Sequence, residues 1–430
     1  MSVLITAIPL FDGTMTVKAY RLRDQNANMA LDIKDDFRSR SQVYFLPGLE
    51  LLQQIGLEPF ANEKPLFLDV NRFHVLSGMF GNKSVPPEKL VLTVTMDAVA
   101  PVDEELLNSL AELKEKGYGI ALDGYPAGGL ENPIAAYVEH IILNFEDKNL
   151  YTQISDVKKT MKHMRIILSN LPDMETYNKY AASRNTLFTG NFYNHPVTRD
   201  TDEISPLKIN ALRLLKQINE EDFELKNIAQ TIERDPSLSI SLLRFINSAA
   251  VGLRSEVNSI QSAVALLGQK EVRHWATIAI SVDISQDRPS EITKLSLVRG
   301  KFAENLAPLF EMAVHQNSLF MTGLFSMLDA ILEKPMEQAV QEVAVDSMVR
   351  EALVDRSGDL FKVLDFMYAY ERADWHKVSV ILIRNGIKGE AAGQAFVDAL
   401  VWYHQLLDSI DEESESGGGE EGEDAEKIDA

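Results

Sequence analysis

One acidic residue stands where a buried strand meets a turn rich in glycine and proline. In the stretch IALDGYPAG, residues 120–128, the apolar run Gly119–Leu122 ends at Asp123, and Gly124 follows. A carboxylate at the end of a buried strand is a common ligand for Mg²⁺ or Mn²⁺, which prefer oxygen donors. Gly124 stands where a second acid would complete such a site. The stretch therefore poses a choice between a metal-bearing active site and a site that has lost its chemistry.

The elements that must position Asp123 follow an alternating pattern from residue 1 to about 197. Short β-like runs alternate with segments such as residues 101–117, which carry apolar residues three and four apart and end in Gly117. That is the pattern of an amphipathic helix with a glycine stop. Alternation over this length predicts a parallel sheet closed into an α/β barrel, opened by a hairpin across Asp12–Thr14. The predicted strands are Leu4–Phe11, Thr16–Leu22, Leu66–Val70, Leu90–Thr95, Gly119–Leu122, His140–Phe145, Arg165–Leu168 and Thr186–Thr189.

The second half of the chain carries helical signals only. Ser205 followed by Pro206 is typical of an N-cap and a first helical turn, and Asp235 with Pro236 repeats the device. A later apolar pattern stops near Gly268 and then resumes. We therefore predict a barrel domain over 1–197 and an all-α domain over 205–407. Residues 411–430 are acidic and rich in Gly and Ser, and we expect a disordered tail there.

Composition excludes several classes of function. The chain has 430 residues and no cysteine, so disulfides, thiolate nucleophiles and Cys-based metal sites are excluded. Its net charge is −22, of which residues 411–430 hold −9, leaving −13 for the rest. This balance argues against binding to nucleic acid or to anionic membranes. The sequence shows no signal peptide and no apolar run of about 18 residues, so we expect a cytoplasmic protein without a membrane span.

In an α/β barrel the chemistry lies at the carboxyl ends of the strands. The predicted ends supply one acid, Asp123, and one base, Arg21. A lone carboxylate beside an arginine is a poor site for a divalent ion, and two-metal phosphoryl transfer needs more acids. We expect Asp123 and Asn71 to satisfy backbone donors or to pair with Arg21. The residues read at the strand ends are Arg21, Asn71, Thr93, Asp123, Asn144, Ser169 and Thr189.

The order of these fragments resembles the EAL domain, a bacterial cyclic di-GMP phosphodiesterase built as a modified α/β barrel. AYRLR resembles the family's GYELL, with Arg21 in place of the metal-ligand glutamate, and LDVNRF keeps the asparagine. ALDGYPAG resembles ALDDFGTG, with Asp123 kept and Gly124 replacing the second aspartate. In HIILNF, Ile142 replaces the catalytic lysine. The family positions carried over are Arg21, Asn71, Thr93, Asp123, Gly124, Ile142, Asn144, Ser169 and Thr189.

The second half resembles the HDOD domain, an all-helical relative of the HD phosphohydrolases. The segments SPLKINALRLLKQIN, RDPSLSISLLRFINSAAVGL and NSIQSAVALLG carry the match, on Asp235, Pro236, Asn247, Ser248, Gly252 and Gly268. HD enzymes bind metal through a His-Asp pair. In GLFSMLD, which resembles the family's GLLHDIG, Ser326 and Met327 take those two places. The whole chain thus resembles bacterial EAL–HDOD signalling proteins, and the resemblance implies neither a catalytic residue nor a metal or other cofactor.

Three functions stay open on these grounds. The first is a non-catalytic bacterial regulator or scaffold that acts through protein partners. The second is a receptor that binds cyclic di-GMP weakly without cutting it, with Arg21 pairing to a phosphate. The third is an active phosphodiesterase, and it is the least favoured because the side chains listed do not supply the charge stabilisation that hydrolysis needs. The resemblance also implies a homodimer.

Overall fold

A computed structural model describes residues 4–25, 46–81, 85–126, 129–194, 206–219, 223–234, 236–247, 257–284, 290–343 and 345–416. The predicted boundary at 198–205 and the signature residues Asp235, Ser248 and Gly252 lie outside these ranges. Among the helices that the structure describes, none combines the length and the apolar character needed to cross a bilayer.

Eight strands close into a barrel in the order of the sequence. The first strand is antiparallel to both of its neighbours, the second and the eighth, and all the other pairs are parallel. Both the predicted barrel and its opening hairpin are therefore confirmed. The strands are β1 Ile5–Phe11, β2 Val17–Asp24, β3 Leu66–Asp69, β4 Leu90–Thr95, β5 Gly119–Asp123, β6 His140–Asn144, β7 Arg165–Leu171 and β8 Thr186–Gly190.

The helices of the barrel half begin at side-chain caps where the sequence supplies them. Asp103, for example, accepts a hydrogen bond from the backbone N of Leu106 at 3.0 Å, and the helix that follows buries Leu106, Leu110 and Leu113. This helix, Glu104–Glu115, lies within the amphipathic segment predicted over 101–117. The helices are α1 Pro47–Ile55, α2 Glu58–Ala61, α3 Arg72–Leu76, α4 Met96–Val99, α5 Glu104–Glu115, α6 Leu150–Thr160 and α7 Met174–Tyr180.

One apolar side chain from each strand fills the interior of the barrel. These side chains are at most 6% exposed and form a cluster separate from the main core. Because side chains alternate between the two faces of a strand, the residue two positions further along a parallel strand lies in the next interior layer, toward the carboxyl ends. That layer is the mouth of the barrel. The cluster is Leu10, Ala19, Phe67, Val91, Ala121, Ile142, Ile167 and Leu187.

The second half is helical throughout the described residues, which confirms the predicted all-α domain. Gly268, at φ +77°, interrupts the longest central helix at the point where the sequence pattern stops and resumes. The helices are α8 Pro206–Asn219, α9 Leu225–Glu233, α10 Pro236–Asn247, α11 Ile260–Ile284, α12 Ser290–Leu306, α13 Gln316–Phe325, α14 Leu328–Leu332, α15 Met336–Val343, α16 Ser347–Arg350, a π-helical turn Glu351–Asp355, α17 Gly358–Glu371, α18 Trp375–Arg384 and α19 Gly389–Ser416.

The last helix runs into the acidic segment at the end of the chain. Helix α19 continues to Ser416, past the expected start of disorder at residue 411. Glutamate is a good helix former, so the first acidic residues extend a helix that is already anchored by Phe396, Leu400 and Tyr403. Residues 417–430 lie outside the described part of the chain.

The hairpin of β1 and β2 also contacts the helical half. The backbone N of Ile5 donates to the hydroxyl of Tyr370 at 3.2 Å. The hydroxyl of Tyr20 donates to Glu291 Oε2 at 2.6 Å and accepts from Lys294 Nζ at 2.9 Å. Tyr20 and Glu291 are both buried, so this junction is a polar cluster shut off from water.

Candidate functional site

An arginine bridges two carboxylates at the mouth of the barrel. Arg21 donates from Nε and Nη2 to Asp69 Oδ1, at 3.0 and 2.8 Å, and from Nη2 to Asp123 Oδ2 at 2.5 Å. Arg21 is only 9% exposed. Burial by itself lowers the pKa of Arg21, but the two carboxylates outweigh burial and the pKa is raised. The guanidinium is therefore a fixed positive charge between two acids.

The second acid, Asp69, corrects the count made from sequence, which found only Asp123. Asp69 is the last residue of β3 and lies two positions after Phe67, whose ring fills the barrel interior. The two-residue period therefore turns Asp69 to the interior. The sequence analysis misses Asp69 because it extends this strand to Val70 and reads Asn71 as the residue at its end. Extending the alternation from Phe67 would have found it.

The other cation near Asp69 is Arg23. Its Nε lies 3.5 Å from Asp69 Oδ2, which is a longer contact than those made by Arg21. The side chain of Asp69 is 18% exposed and that of Asp123 is 28% exposed. Both acids thus face the mouth while their oxygens are held by arginine.

Asn71 begins helix α3. Its side-chain oxygen accepts from the backbone N of His74 at 3.0 Å, and its own backbone N donates to His74 Nδ1 at 3.2 Å. This reciprocal pair is a capping box. The side-chain oxygen that the resemblance would assign to a metal is engaged here with the backbone.

Two threonines of the mouth carry buried hydroxyls. Thr93 is 2% exposed and Thr189 is 9% exposed. Neither Oγ1 has a hydrogen-bond partner among the residues that the structure describes. A hydroxyl can both donate and accept, so these two positions offer polar contacts but no charge.

The remaining strand-end residues have local partners or none. Ser169 Oγ donates to the carbonyl of Leu143 at 3.2 Å. The exposed Asn144 accepts from the backbone N of Glu146 at 3.0 Å. Ile142, at the family's lysine position, is buried in the barrel interior and has no proton to transfer.

Gly124 makes the turn after β5. Its φ is +94°, a conformation that favours glycine, and its backbone N donates to the carbonyl of Ile142 at 2.9 Å. A Cβ built there would meet no atom within 4 Å. An acidic side chain would therefore fit at this position, but the positive φ disfavours any residue other than glycine.

These residues do not fit a divalent cation. Mg²⁺ and Mn²⁺ take several oxygen ligands and favour carboxylates. The two acids of the mouth share a guanidinium, and a cation at that point would meet the positive charge of Arg21. Within the described ranges, no group of three or more His, Cys, Asp or Glu side chains is arranged to hold a metal.

A second buried arginine occupies the helical half. Arg299, 3% exposed, donates from Nε to Glu371 Oε1 at 2.7 Å and from Nη2 to Glu371 Oε2 at 2.6 Å. Its Nη1 contacts Ser326 Oγ at 3.1 Å and Met327 Sδ at 2.9 Å. Burial lowers the pKa of Arg299, but Glu371 outweighs it and the pKa is raised. Ser326 and Met327, the positions where the resemblance would put a His-Asp pair, thus both contact a guanidinium.

The HDOD signature residues that the structure describes are structural in their contacts. Asn247 donates from Nδ2 to the carbonyl of Val257 at 2.9 Å. Its Oδ1 accepts from the backbone N of Val257 at 2.8 Å. These two hydrogen bonds connect the C-terminal end of α10 to Val257, which precedes α11. Pro236 is the first residue of α10, as its position after a cap predicts.

Comparison with known proteins supports the same two-part organisation. Residues 204–356 match the HDOD domain family. "Uncharacterized protein YuxH" of Bacillus subtilis is 28% identical over 428 residues, which cover 95% of this chain and 100% of that protein. "Cyclic di-GMP phosphodiesterase CdgJ" of Vibrio cholerae is 26% identical over 326 residues, 75% of each chain. The chain thus has a closed barrel followed by a helical half in which residues 204–356 match the HDOD domain family, as the sequence predicted.

Solved structures resemble less than half of the chain. BlrP1 of Klebsiella pneumoniae, in a complex with calcium and cyclic di-GMP, is 14% identical with a TM-score of 0.34, covering 44% of this chain and 54% of that one. An EAL domain protein from Listeria monocytogenes is 12% identical with a TM-score of 0.34, covering 45% of this chain and 87% of that one.

Proposed function

We propose that this protein is a non-catalytic regulator of the EAL–HDOD kind, which acts through protein partners. The observation that carries the proposal is the position of Arg21 between Asp69 and Asp123. Hydrolysis of a phosphodiester by this barrel type needs a metal-activated water. A guanidinium held by the acids supplies neither a metal site nor a group that takes a proton at neutral pH.

Among the described residues, the strand ends at the mouth also offer no side chain placed to act as a general base. Ile142 is apolar, Thr93 and Ser169 are hydroxyls, and the two acids are paired. A hydroxyl without a neighbouring base is a weak nucleophile at neutral pH. We therefore infer that the surfaces of the barrel, rather than its mouth, contact the protein partners.

The experiment that tests this proposal is a hydrolysis assay with cyclic di-GMP, with Mg²⁺ and Mn²⁺ supplied in turn. We expect no product above the background set by Asp123→Asn, a variant of similar size that removes one charge of the mouth. An active EAL phosphodiesterase run in parallel shows that the assay works. Turnover in the wild type that disappears in Asp123→Asn would refute the proposal.

A second candidate is a receptor that binds cyclic di-GMP without cutting it. The two hydroxyls of Thr93 and Thr189, without partners among the described residues, favour a polar ligand in the mouth. The name of the Vibrio relative and the complex of the Klebsiella protein make cyclic di-GMP the ligand to test. Against it, the charge of Arg21 is already matched by two carboxylates, so a phosphate would have to displace an acid.

Calorimetry separates the two candidates. Titration with cyclic di-GMP is expected to give no heat at concentrations of about 100 μM, which corresponds to binding weaker than about −5.5 kcal/mol. Saturable heat that is lost in both Thr93→Val and Thr189→Val would instead establish the receptor.

A further inference from the structure

A cavity of about 330 Å³ lies at the end of the barrel opposite to its mouth. It is lined by the end of helix α6, by Met164 and Ile166 at the start of β7, and by Arg184 and Asn185 just before β8. In a parallel barrel the strands begin at one end and finish at the other, so this cavity is separate from the mouth that contains Arg21. An inference about it goes beyond the proposed function and does not depend on it.

The floor of the cavity is apolar and well packed. Val157, Met164 and Ile166 line it and are at most 3% exposed, and Met161 is half-buried beside them. Two thioethers beside branched aliphatic side chains make a surface that suits an aromatic ring, because sulfur is polarizable and packs well against ring edges. The floor therefore favours the apolar body of a ligand.

The rim of the cavity is basic. Lys158, Lys162 and Arg184 all line it, all are exposed, and none forms an ion pair with an acid of the described residues. The wider segment 157–165, VKKTMKHMR, contains four lysine or arginine residues and no acid, in a chain whose net charge is −22. This is a concentrated positive surface on an acidic protein.

Interaction with the helix dipole does not explain this rim. Lys158 lies in the last turn of α6, where a cation is stabilised by the negative end of the helix. Lys162 comes after the helix has ended, and Arg184 comes from a different segment, before β8. Their convergence on one cavity thus has no explanation in the stability of the helix.

A fixed polar group completes the site. Asn185 also lines the cavity, at φ +59°, with its Nδ2 donating to the carbonyl of Met164 at 3.1 Å and its Oδ1 accepting from Arg165 Nε at 3.2 Å. These bonds connect the residues at the start of β7, which contribute to the floor, with those just before β8, which contribute to the rim. The shape of the cavity is therefore set before any ligand arrives.

We propose that this cavity binds an aromatic organic phosphate of nucleoside monophosphate size. The ring would lie on Met161, Met164 and Ile166, and the phosphate would be held by Lys162 and Arg184. The volume is at the lower end of the range for small-molecule sites, about 300–1,000 Å³. Arginine and lysine are the side chains that recognise phosphate. Neither Lys162 nor Arg184 forms an ion pair with an acid of the described residues.

The test is calorimetry with AMP and GMP as probes, beside adenosine and inorganic phosphate. We expect one of the nucleotides to bind below about 1 mM, and adenosine and phosphate each to bind at least about tenfold more weakly, since each keeps half of the contacts. Absence of heat with both nucleotides overturns the proposal. Equal binding of inorganic phosphate overturns it as well, because the floor would then contribute nothing.

Charge reversal locates the site. Lys162→Glu and Arg184→Glu are expected to weaken nucleotide binding at least about tenfold, whereas Lys148→Glu, an exposed lysine outside the cavity, makes the same charge change and is expected to leave it unaltered. Unchanged affinity in both cavity variants overturns the assignment. Circular dichroism of each variant checks that it is folded, and Lys162→Ala provides a milder change should a reversal unfold the chain.

Two further titrations separate this inference from its rivals. A synthetic peptide of residues 411–430, which carries −9, tests whether the basic rim prefers an acidic polypeptide. Binding of that peptide without binding of nucleotides overturns the proposal. Nucleotide binding must also persist in Thr93→Val, a change of similar shape at the mouth, and its loss in that variant, when circular dichroism shows it folded, would assign the heat to the mouth instead. The hydrolysis assay reports on the mouth, and these titrations report on the cavity. Either proposal can therefore fail without the other.

Discussion

Glu371 receives two hydrogen bonds from the one guanidinium of Arg299, at 2.7 and 2.6 Å, and this pair lies in the interior of the helical domain. Arg21 stands in a similar relation to Asp69 and Asp123 in the barrel. Each half of the chain therefore holds a buried arginine bound by carboxylate at the place where the resemblance puts metal ligands. In the function we propose, a cation attached to the chain takes the place that a bound metal ion would occupy in each half.

The first prediction concerns the mouth of the barrel. Arg21→Glu would join a third carboxylate to Asp69 and Asp123 and remove the charge that repels a cation. We expect this variant to bind Mn²⁺ at least about tenfold more tightly than the wild type, measured by electron paramagnetic resonance of the free ion. Arg21→Gln is the control, because it removes the positive charge without adding an acid. Equal Mn²⁺ binding by wild type and Arg21→Glu would contradict our account of the site.

The second prediction concerns the stability of the helical half. Arg299→Met leaves Glu371 buried without its partner, and such a loss costs about 3–5 kcal/mol of unfolding free energy. The matched control is Arg350→Met, since Arg350 and Asp355 form an exposed pair worth about 1 kcal/mol or less. All three tryptophans lie in this half, so their fluorescence during urea unfolding reports on it. A loss in Arg299→Met no larger than in the control would show that the pair is not structural.

The third prediction is a dependence on pH. Burial lowers the pKa of His140 from 6.5 to about 4, and its ring packs edge-on against Phe67 at the base of the barrel interior. The unfolded chain binds a proton below pH 6.5, while the folded chain does so only near pH 4. Stability is therefore lost as the pH falls through this window.

His140→Phe tests the dependence because it keeps a ring against Phe67 and removes the titrating group. We expect the difference in unfolding free energy between variant and wild type to move in favour of the variant as the pH falls from 6.5 to about 4. His163, an exposed histidine, provides the control as His163→Phe. A difference that stays constant with pH would show that the pKa of His140 is not depressed.

The fourth prediction concerns the junction between the two halves. Burial lowers the pKa of Lys294, while the charge of Glu291 opposes that effect. Removing Glu291 alone leaves a buried ammonium with less compensation. We expect Glu291→Gln and Lys294→Met each to destabilise the protein, and the double variant to lose at least about 0.5 kcal/mol less than the sum of the two. Additive losses would mean that the two side chains do not interact.

The strands were predictable because their burial follows a local rule. Apolar runs bounded by turn residues predict all eight strands in order. Counting two residues on from the interior residue Phe67 would also have placed Asp69 in the interior. The pair of Arg299 and Glu371 was not predictable in this way. Its members are 72 residues apart and lie on different helices, and no spacing rule joins them. Charged partners brought together by tertiary packing leave no periodic signal in the sequence.

The same contrast holds for the cavity at the base of the barrel. The run VKKTMKHMR is visible in the sequence as a basic segment, but Arg184 and Asn185 join it only because β7 and β8 pair side by side. Asn71 shows the reverse case. Its type and place before α3 suit a helix cap as well as a metal ligand, and only the contact with His74 decides between them.

Tyr20 and Arg21 are neighbours on β2, and they point in opposite directions because strand side chains alternate. Tyr20 is bound to Glu291 and Lys294 of the helical domain, whereas Arg21 is bound to the acids of the mouth. A single peptide unit, about 3.8 Å long, thus separates the residue that contacts the helical domain from the residue that holds the acids of the mouth. A displacement of Tyr20 by the helical domain is therefore passed to Arg21 through one covalent link.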